Sequence, residues 1–178
     1  MIRALILCGG SSKRLGIDKC KLKQGKLSLP ELLAKKLPKG VKPLYLAKSK
    51  LFEADFLLDD ENTSSPREAL RKAAKALNYQ GFALVLAADL LGIKKSQIKS
   101  LLKKHKQKKA QATLLKDSHL HYLCGVYELE VFRKNSANKS FGALLEGCKI
   151  NSIKSKRALL NLNTITELKA SKLRRKYE

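Results

Sequence analysis

Residues 7–22, LCGGSSKRLGIDKCKL, place an apolar run, two adjacent glycines, a Lys-Arg pair and an Asp-Lys step close together. This order suits an anion. Glycine carries no Cβ, so main-chain N–H groups can close on a phosphate while basic side chains neutralise it. Spacing excludes two familiar phosphate loops. Gly10 and Gly16 are not followed by the Lys-Ser or Lys-Thr of G-x-x-x-x-G-K-[ST], and the adjacency of Gly9 and Gly10 breaks G-x-G-x-x-G. Further along, Asp89 closes the apolar run Phe82–Ala88, where a carboxylate can hold a hard cation or cap a turn. Asp59 and Asp60 open a polar segment, and Asn161 and Asn163 flank Leu162. His119 and His121 share one strand face, but two ligands alone do not make a metal site. Cys20, beside Lys19, reads as a buried and inert thiol.

These residues need a frame, and the hydrophobic pattern supplies one. Apolar runs of strand length alternate with amphipathic stretches, as in an α/β sheet. Ile2–Cys8, Pro43–Ala47 and Phe82–Ala88 read as buried parallel strands, with Ala112–Leu115, Tyr122–Tyr127, Ile150–Ile153 and Leu159–Leu162 as further strands. Ser28 with Glu31, Ser65 with Glu68, and Thr164 with Glu167 have the spacing of capping boxes that open helices. Pro66 takes the favoured first helical position. Helices are expected up to about Leu77, from about Ser96 to Lys108, and as short pieces near Val131–Arg133 and Phe141–Gly147. No repeat or linker interrupts the chain, so residues 1–178 are expected to form a single domain.

Composition narrows the class. The chain has 178 residues, 44% of them hydrophobic, which is enough for a sizeable core. Four scattered cysteines without a C-x-x-C pair argue against a structural zinc site or a disulfide framework. The segment 2–7 is too short and too interrupted for a signal peptide, and no stretch is long enough to cross a bilayer, so a cytoplasmic protein without membrane contact is expected. The net charge of +23 invites a nucleic-acid reading. However, only eight of the 38 basic residues are arginines, the lysines are spread along the chain, and no aromatic-rich RNA-binding motif accompanies them. Nucleic acid is therefore not the expected partner; small anions are.

The pattern L-x-G-G-x-S-x-R-x-G-x-D-K, carried by Leu7, Gly9, Gly10, Ser12, Arg14, Gly16, Asp18 and Lys19, resembles the signature of the molybdenum cofactor guanylyltransferase family of nucleotidyltransferases. Asp89 stands where that family has its magnesium-binding aspartate, NLNT at 161–164 resembles its N-x-N-T-P ending, and His121 stands at its usual His-Pro. The resemblance implies a three-layer α/β/α domain of the Rossmann-like nucleotide-diphospho-sugar transferase type with a mostly parallel sheet. It implies transfer of GMP from GTP to the terminal phosphate of molybdopterin, with Mg²⁺ held by Asp89. By the same resemblance Leu7, Cys8, Gly9 and Gly10 would cradle the nucleotide, the last three through main-chain N–H groups. Arg14 and Lys19 would neutralise the triphosphate, and Asn161 and Asn163 would lie on the pterin side. Asp59 or Asp60, preferentially Asp60, would face guanine, since a carboxylate can accept from both N1–H and N2–H₂. The resemblance also admits a helper GTPase and molybdoenzyme acceptors as partners. Departures from the family pattern bear on base specificity more than on phosphate handling. Asp89-Leu90-Leu91 replaces D-x-P, Ser65–Ala69 replaces G-P-L-A-G, Ala47 replaces an asparagine, Tyr122 replaces the proline of His-Pro, and Ile165 that of N-T-P. They keep three alternatives in view: a relative using CTP, one acting on a sugar or alditol phosphate, and a weakly active cofactor-delivery protein.

Overall fold

Strand β1, Ile2–Leu7, lies in the interior of a seven-stranded sheet, and its Ala4, Leu5 and Ile6 are fully buried. The computed structural model describes residues 1–9, 18–60, 63, 65–90, 92–133 and 140–155. The expected strand at 159–162 and the helix opened by Thr164 lie outside the described residues. After β1 come a 3-10 turn at Lys19–Lys21 and a small hairpin of β2, Lys23–Gln24, and β3, Leu27–Ser28. Then follow α1, Leu29–Ala34; β4, Val41–Ala47; β5, Phe56–Leu58; α2, Pro66–Ala76; and β6, Phe82–Ala87. The remaining elements are α3, Lys95–Lys108; β7, Ala112–Lys116; β8, Leu120–Glu128; a 3-10 segment, Leu129–Arg133; α4, Phe141–Leu144; and β9, Ile150–Lys154.

The sheet order is β5-β4-β1-β6-β8-β7-β9. Every neighbouring pair is parallel except the two that involve β8, which runs against both β6 and β7. Alternate residues of β1 feed opposite faces, as the strand period requires. Ala4 and Ile6 join α1 and α3 in one core, whereas Leu5 and Leu7 join α2 and the Leu129–Arg133 segment in the other. The result is the expected three-layer α/β/α arrangement with a mostly parallel sheet.

Helix starts follow local chemistry. Both the N–H and the hydroxyl of Ser28 donate to Glu31 Oε2, at 2.8 and 2.6 Å. These bonds hold the Glu31 carboxyl below its ordinary pKa. Ser65 Oγ accepts from the Glu68 N–H at 3.3 Å, with Pro66 next in the first turn. Helix α2 buries Ala69, Leu70, Ala73 and Ala74 along one face. Helix α3 buries Ile98, Leu101, Leu102 and His105, one stripe at helical spacing, and turns its lysines outward. Its buried His105 is fully paired, with Nδ1 3.1 Å from Thr113 Oγ1 and Nε2 3.0 Å from Glu128 Oε1. That imidazole pins α3 to β7 and β8.

The Lys19–Lys21 turn, the β2–β3 hairpin and β5 were not expected from sequence. The hairpin turns at Gly25, whose φ of +63° favours glycine. Strand β5 is short, and aromatic packing of Phe56 on Tyr45 and Phe52 secures it. No helix among the described residues is long and apolar enough to cross a membrane.

Candidate active site

The sheet order creates a topological switch. From β1 the chain builds outward through β4 to β5, then returns to place β6 on the other side of β1. In open α/β sheets the crevice beyond the carboxyl ends of two such strands is where ligands bind. Here a cavity of about 500 Å³ lies at that position, bordered by Cys8 and Gly9 after β1, Asp89 after β6, and the Asp18–Cys20 turn. The main chains stay zipped at its floor, with the Ala88 N–H donating to Leu7 O at 3.0 Å.

Lys19 and Asp89, seventy residues apart in sequence, meet in this cavity with Nζ 3.0 Å from Oδ2. Both side chains are about one-fifth exposed, so the pair is neither buried beyond use nor lost in solvent. The turn that delivers Lys19 is fixed by Asp18, whose Oδ1 accepts from the Cys20 N–H at 3.0 Å. It is fixed again by Cys20, buried beneath it, whose thiol donates to Cys8 O at 3.0 Å. The hydrogen bond with Cys20, then burial, push the Cys8 thiol far above its ordinary pKa, so it stays protonated. Cys8 and Cys20 therefore serve as packing that holds the two halves of the loop together.

One expectation is corrected. The Cys8 N–H was expected to help cradle phosphate, but it donates to Leu46 O at 2.8 Å and so continues the β1–β4 ladder. Gly9, immediately after it, is a position of close approach. A Cβ there would stand 3.1 Å from Asp59 Oδ2. Gly10, Arg14, Asn161 and Asn163 lie outside the described residues.

The two acidic neighbours after β5 have different surroundings. Asp60 is exposed and bonded to Lys72 and to Thr63 Oγ1, the latter at 3.0 Å, in a surface turn. Asp59 is half-buried against Gly9, placed there by its N–H bond to Ala47 O at 2.8 Å. Burial raises the Asp59 pKa above 3.8, outweighing Lys72 and Lys48, which lower it. A raised carboxyl pKa costs the folded state as the group ionises. Stability is therefore lost as pH climbs from the unfolded value through the folded one, and the full cost persists at neutral pH. Asp59→Asn is thus expected to melt at a higher temperature than the parent at neutral pH. The gap should close on acidification, which thermal denaturation followed by circular dichroism across that range checks.

The far wall comes from residues outside those expected to hold the nucleotide. There His119, Leu120, His121 and Tyr122 face the same cavity. Pro66, at the start of α2, and Phe141 complete it, the latter with its ring 6.1 Å from that of Tyr122.

Comparison with known proteins gives this geometry its relatives. The family described as the MobA-like NTP transferase domain matches residues 4–149. A molybdenum cofactor guanylyltransferase of Campylobacter jejuni is 29% identical over 178 aligned residues, covering 93% of each chain. Among solved structures, the molybdopterin-guanine dinucleotide biosynthesis protein A of Archaeoglobus fulgidus superposes with a TM-score of 0.79 at 17% identity, covering 95% of this chain and 96% of the other. A protein of Aquifex aeolicus superposes with a TM-score of 0.72 at 25% identity, covering 91% and 93%.

Proposed function

The chain belongs to the MobA-like NTP transferase family and is a nucleotidyltransferase, and from that premise we propose that it transfers GMP from GTP to the terminal phosphate of molybdopterin. An oxygen of the acceptor phosphate forms the new bond to the α-phosphorus of GTP. The bond to the bridging oxygen breaks, and pyrophosphate leaves with the electron pair. Little covalent work falls to the protein, so alignment and charge neutralisation carry the catalysis.

The observation that carries this reading is the convergence of Lys19 and Asp89 at the switch between β1 and β6. Lys19 offers a compact cation on a flexible stem, suited to the triphosphate and to the departing pyrophosphate. Asp89 supplies a hard oxygen beside a cavity roomy enough for phosphate and water, a donor set that fits Mg²⁺. When bound, Mg²⁺ neutralises phosphate charge there. Arg14 would add a second positive charge, and Asn161 with Asn163 would bound the pterin side. The base would lie toward β5, with Asp59 and Asp60 as its carboxylates.

The Campylobacter relative's name supports GTP and molybdopterin as the substrates. Incubation with molybdopterin, Mg²⁺ and either GTP or CTP tests the reading. Dinucleotide formation and pyrophosphate release are expected with GTP. Better turnover with CTP would overturn the guanine assignment, and failure with both would overturn the acceptor.

A further inference from the structure

The hairpin tip between β7 and β8 carries chemistry that the transfer reaction does not use. Asp117, His119 and His121 alternate along it, and one donor atom from each lies within 4.8 Å of the others. The Asp117 carboxylate sits between the rings, with Oδ1 3.5 Å from His119 Nδ1 and Oδ2 2.8 Å from His121 Nε2. Two donors about 2.0–2.1 Å from a tetrahedral ion stand about 3.4 Å apart, so these separations already approach a coordination shell.

An ordinary ion pair does not account for the arrangement. His121 is only 8% exposed, and its Nε2 has no hydrogen-bond partner among the described residues. The Asp117 carboxylate lies 2.8 Å away as an ion-pair partner but makes no hydrogen bond to this nitrogen. A buried imidazole nitrogen without a partner costs free energy unless something else takes its lone pair. The rings of His119 and His121 lie 4.3 Å apart, which brings their nitrogens together at the cavity wall.

We propose that Asp117, His119 and His121 bind a divalent cation of the zinc class, separate from the hard-ion position at Asp89. Two imidazoles and one carboxylate suit a borderline ion such as Zn²⁺ or Co²⁺ better than Mg²⁺, which prefers oxygen donors. Three protein ligands leave a fourth position for water or a ligand oxygen. His119 and His121 line the cavity, so that position opens onto it. The two ends of the hairpin's neighbours place the sites side by side. Asp89 lies three residues past Leu86 and His121 three before Cys124, the last pair of the β6–β8 ladder.

The test is titration of the untagged full chain with Zn²⁺ against a chromophoric chelator, without nucleotide, and with Co²⁺ by visible absorption. One tightly held ion per chain is expected. Loss of a direct ligand should cost at least the roughly 10–100-fold that loss of a supporting group costs, so His119→Ala and Asp117→Asn should weaken binding by that much. His119 is 69% exposed, so its removal leaves the fold intact and keeps the test decisive. Asp89→Ala should bind Zn²⁺ as the parent does. Unchanged affinity in His119→Ala, no stoichiometric uptake by the parent, a thiolate charge-transfer band with Co²⁺, or equal loss in Asp89→Ala would each overturn the proposal. No nucleotide is present, so such a failure would leave the transferase reading standing.

Discussion

Asp89→Asn is expected to lower the proposed GMP transfer by about 10³-fold or more, because it removes the carboxylate that would hold Mg²⁺ and align the phosphates. Asparagine keeps the shape and the hydrogen-bonding reach of the side chain, so the loss reports charge. The fold has little stake in it. The partner is Lys19, 3.0 Å away, and both groups are partly open to water, so the pair contributes about 1 kcal/mol or less to stability. The melting temperature should therefore move by no more than about 2–4 °C. Pyrophosphate release measured at saturating GTP and Mg²⁺ checks the first statement, and a thermal melt checks the second. Near-normal turnover in Asp89→Asn would remove Asp89 from the machinery.

Lys19→Met should cost about 10²–10³-fold in kcat, with a smaller effect on the KM for GTP. A cation that meets charge developing on the leaving pyrophosphate acts mainly in the transition state. Methionine retains most of the stem's packing, which separates lost charge from lost contact. Lys19→Arg should restore part of the rate, since the charge returns although its geometry does not. Combined with Asp89→Asn, the loss should fall well short of the product of the two single losses, because the two side chains touch and, in the proposed reaction, would act on one phosphate chain. Multiplicative losses would mean that the contact has no role in turnover. Equal rises in KM with unchanged kcat would restrict Lys19 to ground-state binding.

Much of this frame could be read from the chain itself. The apolar runs at β1, β4 and β6 are continuous because both sheet faces are covered, so their pattern survives without knowledge of the neighbours. The capping box at Ser28 and the N-cap at Ser65 are local in sequence and appear as hydrogen bonds. Lys19 and Asp89 could be singled out by residue type and position, and the fold brings their side chains together. What escaped was whatever a distant neighbour decides. The three residues of β5 give no periodic signal and depend on Tyr45 and Phe52. The Cys8 N–H looked available until β4 claimed it. Asp59 and Asp60 are chemically identical in sequence and are told apart only by Gly9 and Lys72. His119 and His121 were visible as a pair, but Asp117 joins them only because the hairpin folds its carboxylate back between the rings.

Strand β8, antiparallel to both of its neighbours in the seven-stranded sheet, has a consequence for how such a protein can change. Parallel strands return to the opposite edge before they contribute again, so altering their loops disturbs long crossovers. Because β8 reverses, the three residues 117–119 join two strands directly at the working edge. That tip is an interchangeable cassette. Lengthening or recolouring it reshapes one wall of the cavity while β1, β6 and the Lys19–Asp89 pair keep their places. The architecture thus separates what a lineage must preserve from what it can vary.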